Sequence, residues 1–170
     1  MKITIINGTN RINNTSIQIS KYIQNLVSER NIENYLVTLD NFDTLFRGEY
    51  ITLNNANPAQ KTDLENIISS RALIFVVPVY HKGIPSSLKN FIDIISIPEL
   101  FDNTIISVVS NNRKSAEGAY QTIQILNSYM AFKKNNLSFI MPEINIIDPS
   151  NIDSDRLNNM ISNIENLASK

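Results

Sequence analysis

Cysteine and tryptophan are absent, histidine occurs once, and only four glycines are spread over 170 residues. Without cysteine, a disulfide framework, a thiolate zinc site and a cysteine nucleophile are all excluded. A single histidine rules out any site that needs several imidazoles. No uncharged apolar stretch approaches the roughly 18 residues of a membrane helix. The apolar run Ile3–Ile6 is too short for a signal-peptide core and has no small-residue cleavage site behind it, so a cytoplasmic protein without membrane contact is expected. Charge of one sign is lacking too: 15 Lys and Arg against 16 Asp and Glu leave a net charge of -1, with no basic field for nucleic acid and no strong acidic face.

What is present is a hydrophobic fraction of 42% with 18% charged residues, the balance of a soluble globular chain. The length predicts one domain over residues 1–170. Short β-branched runs at Ile3–Ile6, Tyr35–Leu39, Leu73–Val77, Ile105–Val109 and Leu137–Ile140 read as strands, with Ile144–Ile147 as a continuation of the last. Between them run stripes at helical spacing: Ile19, Ile23, Leu26 and Val27; Leu64, Ile67 and Ile68; Leu88, Phe91, Ile92 and Ile95; Ala119, Ile123, Leu126 and Met130; Leu157, Met160, Ile161 and Ile164. Strand and helix in alternation predict an α/β protein, a three-layer α/β/α sandwich on a five-stranded parallel sheet in the order 2-1-3-4-5, the flavodoxin-like arrangement.

Boundary residues agree. Pro78 is expected to stop the third strand, Pro85 to sit in a first helical turn, and Pro149 to precede a helix start at Asp153–Asp155. One stretch is irregular: Asn41–Asn57 is longer than usual connections and carries Phe42, Phe46 and Tyr50. These rings either pin the loop to its own domain or line a ligand cleft or subunit contact.

For that strand order, ligands bind in the crevice beyond the carboxyl ends of the first and third strands. The first strand is followed by Asn7-Gly8-Thr9-Asn10-Arg11-Ile12-Asn13-Asn14-Thr15-Ser16, rich in hydroxyl and amide groups and placed ahead of a helix. Free N–H groups at a helix start, hydroxyl donors and the fork of Arg11 suit a phosphate; ordinary capping by Thr15 or Ser16 is the alternative. Neither G-x-x-x-x-G-K-[ST] nor a G-x-G-x-x-G after the first strand is present, which disfavours nucleotide hydrolysis and Rossmann-type NAD binding. A receiver-type phosphoacceptor is disfavoured because Pro78 stands where an aspartate is needed. A phosphate-bearing mononucleotide remains.

The third strand is followed by Pro78-Val79-Tyr80-His81-Lys82-Gly83-Ile84-Pro85-Ser86-Ser87-Leu88-Lys89-Asn90-Phe91-Ile92-Asp93. This segment resembles the P-x-Y-x7-L-K-N-x-x-D signature of the NADPH-dependent FMN reductase family, carried by Pro78, Tyr80, Leu88, Lys89, Asn90 and Asp93. The first loop is similar to that family's G-[ST]-x-R loop at Gly8, Thr9 and Arg11. The resemblance implies that Thr9, Arg11, Asn14, Thr15 and Ser16 surround the FMN phosphate. It further implies that Pro78, Val79, Tyr80, His81, Lys82, Gly83 and Ile84 meet the isoalloxazine and ribityl portions, largely through backbone atoms. The resemblance also implies that a third loop after the fourth strand, Ser110-Asn111-Asn112-Arg113 here and often glycine-rich in the family, closes over the flavin.

By the same resemblance, NADPH or NADH delivers hydride to flavin N5, and a small-molecule acceptor takes the electrons: a quinone, azo compound, metal oxyanion or free flavin. No side chain need act as acid, base or nucleophile, and no metal is implied. A backbone N–H near Gly83 or Ile84 is the expected donor to N5 or O4 of the ring. Family analogy also implies a homodimer or a pair of dimers. Two readings stay open beside the reductase: a flavodoxin-type electron carrier without nicotinamide turnover, and a degenerate member without redox activity. For Lys89 and Asp93, one turn apart, a plain i,i+4 pair is the simplest reading.

Overall fold

The computed structural model describes residues 1–97, 99–100, 105–111, 116–133, 138–140 and 151–169. Its sheet is parallel throughout, in the order β2-β1-β3-β4-β5, with β1 at Lys2–Asn7, β2 at Glu33–Thr38, β3 at Ala72–Pro78, β4 at Ile105–Asn111 and β5 at Ser138–Ile140. The first four strands make the body of the sheet. In place of a full fifth strand, β5 contributes three residues paired with Ile105, Ile106 and Ser107. The expected continuation over Ile144–Ile147 lies outside the described residues.

β3 is the middle strand, and all seven of its residues are buried. Such a strand has helices on both faces, so its sequence ALIFVVP is apolar without alternation. The alternation reappears in which core each residue joins. Ile3, Ile5, Ile74, Val76 and Val109 pack against Ile19, Ile23 and Val27 of α1 (Ser16–Glu29) and Leu157, Ile161 and Ile164 of α5 (Ser154–Ala168). Ile6, Leu73, Phe75, Val77 and Val108 face the other way. They meet Leu64 and Ile67 of α2 (Pro58–Ile68), Leu88, Phe91 and Ile92 of α3 (Ser86–Ile94), and Ile123 and Leu126 of α4 (Ala116–Lys133).

The helix stripes read from the sequence thus supply the two cores. Truncating one of these fully buried side chains, such as Phe91, costs about 3–5 kcal/mol. Met130 and Ala119 lie in α4, but their side chains are outside the described set.

The helix ends show why the segments start where they do. Asn57 and Gln60 form a reciprocal capping box ahead of α2, with Pro58 in its first turn, and Asp153 accepts from the Arg156 N–H to cap α5. Two proline expectations shift by a residue. Pro78 is the last paired residue of β3, opposite Asn111, and Pro85 precedes α3 as its cap instead of lying inside the first turn. Ile95 leaves the helix in an extended conformation and makes a parallel bridge to Ile51.

That bridge fastens the irregular stretch after β2, with the Ile51 N–H donating to Ile94 O (2.8 Å) and the Ser96 N–H to Ile51 O (3.0 Å). Of the aromatics of this stretch, Phe42 follows the first reading, a ring that pins the loop to its own domain. Phe42 is buried and meets Phe91 edge-on at 4.9 Å, pinning the segment to α3. Phe46 and Tyr50 pair with each other at 5.0 Å and remain 38% and 50% exposed.

Candidate functional site

The place where strand order puts a ligand crevice is the point where β1 and β3 end side by side. Asn7 is in register with Val76, and the next N–H, of Gly8, donates to Val76 O at 2.9 Å. A Cβ on Gly8 would stand 2.9 Å from that same carbonyl oxygen and 3.3 Å from Leu88 Cδ2, so the chain leaves β1 too close to β3 for any side chain. Beyond it, Asn7 Nδ2 donates to Thr9 O (2.9 Å), the Arg11 N–H donates to Thr9 Oγ1 (3.3 Å), and Thr9 Oγ1 lies 3.4 Å from Tyr80 Oη. The loops after the first and third strands therefore touch through Thr9 and Tyr80. Asn7 Oδ1, at the base of this junction, is buried with no hydrogen-bond partner among the described residues.

The residues expected to surround a phosphate lie together at the start of α1, with different roles. Asn14 is the helix-capping side chain: its Oδ1 accepts from the Ile17 N–H (2.8 Å) and its Nδ2 donates to Arg11 O (2.8 Å). The capping role that the alternative reading gave to Thr15 or Ser16 is filled by Asn14. Thr15 makes no side-chain cap bond and its backbone is already helical, so the amide one residue earlier has the reach. One amide hydrogen of Asn14 remains for a ligand. Thr9 and Ser16 are buried, Thr15 is half-buried, and Arg11 is exposed, its guanidinium without an ion-pair partner among the described residues.

The loop after β3 is a two-residue hairpin. Tyr80 and Gly83 exchange both backbone hydrogen bonds, at 3.0 and 2.9 Å, and the two residues between them, His81 and Lys82, have φ of 51° and 61°. Positive φ at both central positions is the type I′ turn, whose preferred residues are Asn and Gly. Gly83 itself is not at positive φ, and a Cβ there would meet only Tyr80 O at 3.7 Å and Ile125 Cδ1 at 4.0 Å.

This geometry corrects an expectation. The Gly83 N–H is committed to Tyr80 O and is no donor to a ligand, which leaves Ile84 of the two named candidates. Pro78 is buried, Val79, Tyr80, Gly83 and Ile84 are half-buried, and His81 and Lys82 are exposed on the rim.

Ser110 and Asn111 end β4 opposite Val77 and Pro78, at the same sheet edge. Ser110 is fully buried, and its Oγ has no hydrogen-bond partner among the described residues. Asn112 and Arg113 lie outside the described residues. Downstream of the hairpin, Lys89 and Asp93 form the expected i,i+4 ion pair, and Lys89 Nζ also lies 4.9 Å from the Tyr129 ring centroid, joining α3 to α4.

Three functional-looking side chains have no role assigned by sequence reasoning. Asn90, in the LKN run, bonds to the backbone of Phe42, Thr44 and Phe46, and Asp43 Oδ1 accepts from Asn10 Nδ2 at 2.6 Å. Together they tie residues 42–46 to α3 and to the loop after β1. An asparagine inside a helix, off its apolar stripe, is the available signal for Asn90; nothing local marks Asn10 or Asp43.

Deeper under the same segment, Asp63 is buried with its carboxylate accepting from Tyr35 Oη (3.1 Å) and Asn41 Nδ2 (2.7 Å). Burial raises its pKa above the usual carboxylate value, against the two hydrogen bonds, which lower it. Tyr35 is raised as well, by burial first and then by the neighbouring Asp63. Among the described residues no cluster of His, Cys, Asp and Glu could hold a metal, and no helix is long and apolar enough to cross a membrane.

Residues 1–145 match the family model of NADPH-dependent FMN reductase. The chain belongs to this family. It is an oxidoreductase of the FMN- and NAD(P)H-dependent kind, with the flavodoxin-like α/β fold. Solved structures agree on that fold at low identity. FerB, a flavoenzyme NAD(P)H:(acceptor) oxidoreductase from Paracoccus denitrificans, superposes with a TM-score of 0.73 at 16% identity, over 99% of this chain and 97% of its own. The apo form of the NADH:FMN oxidoreductase EMOB gives 0.71 at 17% identity, over 96% and 87%. A flavodoxin-like WrbA-like protein from Agrobacterium tumefaciens gives 0.66 at 13%, over 99% and 96%. No curated protein matches the chain in sequence.

Proposed function

We propose that the family's FMN reductase has its flavin seat in the crevice between Gly8–Ser16 and Pro78–Ile84, and that this chain passes electrons from NAD(P)H to a small-molecule acceptor. The contact of Thr9 with Tyr80 carries this reading, because it joins an anion-suited loop and a ring-suited loop at one point of the sheet edge. The donor set fits a phosphate with an attached planar ring. Arg11 and the α1 N-terminus supply positive charge, Thr9, Thr15 and Ser16 supply hydroxyls, and the half-buried Val79, Tyr80 and Ile84 supply an apolar flank. The buried Asn7 Oδ1 and Ser110 Oγ supply further polar atoms near the strand ends.

When bound, FMN supplies hydride acceptance at its N5 and electron delivery onward. The chain's own work is placement. Arg11 would neutralise the phosphate tail, Asn14 holds the turn that carries Arg11 through its bond to Arg11 O, and Ile84 would offer its backbone N–H to the ring edge. A hydrogen-bond donor there favours the more electron-rich reduced ring. His81 and Lys82 are exposed, and nicotinamide and acceptor would enter past them. The acceptor class is a quinone, azo compound, metal oxyanion or free flavin; the working unit is a cytoplasmic homodimer or dimer of dimers, with no nucleic acid or membrane partner.

Anaerobic addition of NADPH to the FMN-loaded protein tests the reading. Bleaching of the flavin absorbance and steady-state NADPH oxidation with an acceptor are expected. FMN that binds but is not reduced by NADPH or NADH would instead identify an electron carrier, and failure to bind FMN would end the proposal.

A further inference from the structure

The segment after β2 is fastened beside the crevice from two directions. Asn90, midway along α3, spends its whole amide on it: Nδ2 donates to the carbonyls of Phe42 (3.3 Å) and Thr44 (2.9 Å), and Oδ1 accepts from the Phe46 N–H (2.9 Å). Asp43 lies between the two clamped carbonyls. Its Oδ1 accepts from Nδ2 of Asn10 at 2.6 Å, and Asn10 stands between Thr9 and Arg11 in the loop assigned to the phosphate. A solvent-exposed carboxylate is thus tied to the loop proposed to hold the phosphate, and its two neighbours in the chain are clamped by Asn90.

Such a group opposes what Arg11 and the α1 N-terminus provide. A phosphate monoester carries about 1.5 to 2 negative charges near neutral pH, and a carboxylate bonded to the loop that holds it repels it, through solvent that screens part of the effect. The bond to Asn10 does not require that charge, since an amide oxygen at position 43 would accept it equally well. We propose that Asp43 is a specificity-determining residue that weakens the hold on dianionic tails, so that FMN exchanges with solution instead of being retained. This rests on the FMN reading above. The physical logic is a repulsive element built into an otherwise attractive site, tuning affinity without altering the fit of the ring.

The test is a titration of FMN, with riboflavin in parallel, into the wild-type protein, Asp43→Asn and Asp43→Glu, at low and high salt. Asp43→Asn keeps the bond to Asn10 and deletes the charge; Asp43→Glu keeps the charge. The expected result is FMN binding about three- to tenfold tighter in Asp43→Asn, the size of a screened carboxylate–phosphate repulsion. Riboflavin affinity should be unchanged, the Asp43→Glu variant should stay within about twofold of wild type, and the gain should shrink as salt rises. FMN binding by the wild type with no gain, or a loss, in Asp43→Asn would overturn the role of Asp43 and leave the FMN site standing. Absence of FMN binding in the wild type would overturn both.

Discussion

Tyr80 and Gly83 exchange two backbone hydrogen bonds across only two residues, and those two, His81 and Lys82, both sit in the left-handed region. For residues with a Cβ this costs roughly 1–2 kcal/mol each. The strain lies in the loop proposed to face the ring, where the surrounding fold overrides local preference. Replacing the pair with the favoured Asn-Gly dipeptide, through His81→Asn and Lys82→Gly, should therefore raise stability by about 1 kcal/mol once the extra chain entropy of glycine is subtracted. Urea unfolding checks it, and a loss of stability would show that the two side chains make contacts worth more than the strain.

Gly8 invites the opposite change. Because the nearest atom to an added Cβ is the carbonyl that its own N–H bonds, Gly8→Ala can relax only by parting β1 from β3 at the mouth of the crevice. A loss of about 1–3 kcal/mol is expected, typical of overpacking, together with weaker FMN binding. Thermal unfolding with a parallel flavin titration measures both.

Asp63 sets a pH dependence. Its folded pKa is raised, so the native state binds its proton more tightly than the unfolded chain does. Stability from this group is present at and below the ordinary carboxylate value and is lost as pH rises through the raised one. Asp63→Asn removes that slope: its Oδ1 can accept from Asn41 and its Nδ2 can donate to Tyr35 Oη. Denaturant midpoints across the mildly acidic range should fall with rising pH in the wild type more steeply than in the variant.

Asn90 holds residues 42–46 by three hydrogen bonds, of which the Phe46 N–H is the one most easily followed. Asn90→Ala should speed hydrogen exchange at Phe46 while leaving the β3 amides protected, with a global cost of about 1–2 kcal/mol. Unchanged exchange at Phe46 would show that Phe42, packed on Phe91, suffices to hold the segment.

The fold is legible in the sequence because its signals are periodic. β3 is apolar over its whole length, and stripes such as Ile19, Ile23 and Val27 have one spacing and one possible use, burial against the sheet. The ends are less so. Pro78 and Pro85 each shift by a residue, since pairing and capping depend on neighbours that no local pattern names. At the site, the loops after β1 and β3 can be placed because strand order dictates where a crevice opens. The hairpin cannot: His-Lys carries none of the Asn-Gly signal of a type I′ turn, and only the surrounding contacts impose it. The contacts of Asn10, Asp43 and Asn90 escape for a related reason, because their partners are backbone and side-chain atoms 33 to 48 positions away.

The central claim is that the loop from Gly8 to Ser16 holds a phosphate whose ring lies toward Pro78–Ile84. Calorimetric titration of FMN and riboflavin into the wild type and Arg11→Ala tests it most directly. FMN should bind the wild type more tightly than riboflavin does, and Arg11→Ala should lose about 1.5–3 kcal/mol of FMN affinity, a charge-assisted hydrogen bond's worth, with riboflavin unaffected. Equal loss for both ligands, or no loss for FMN, would contradict it.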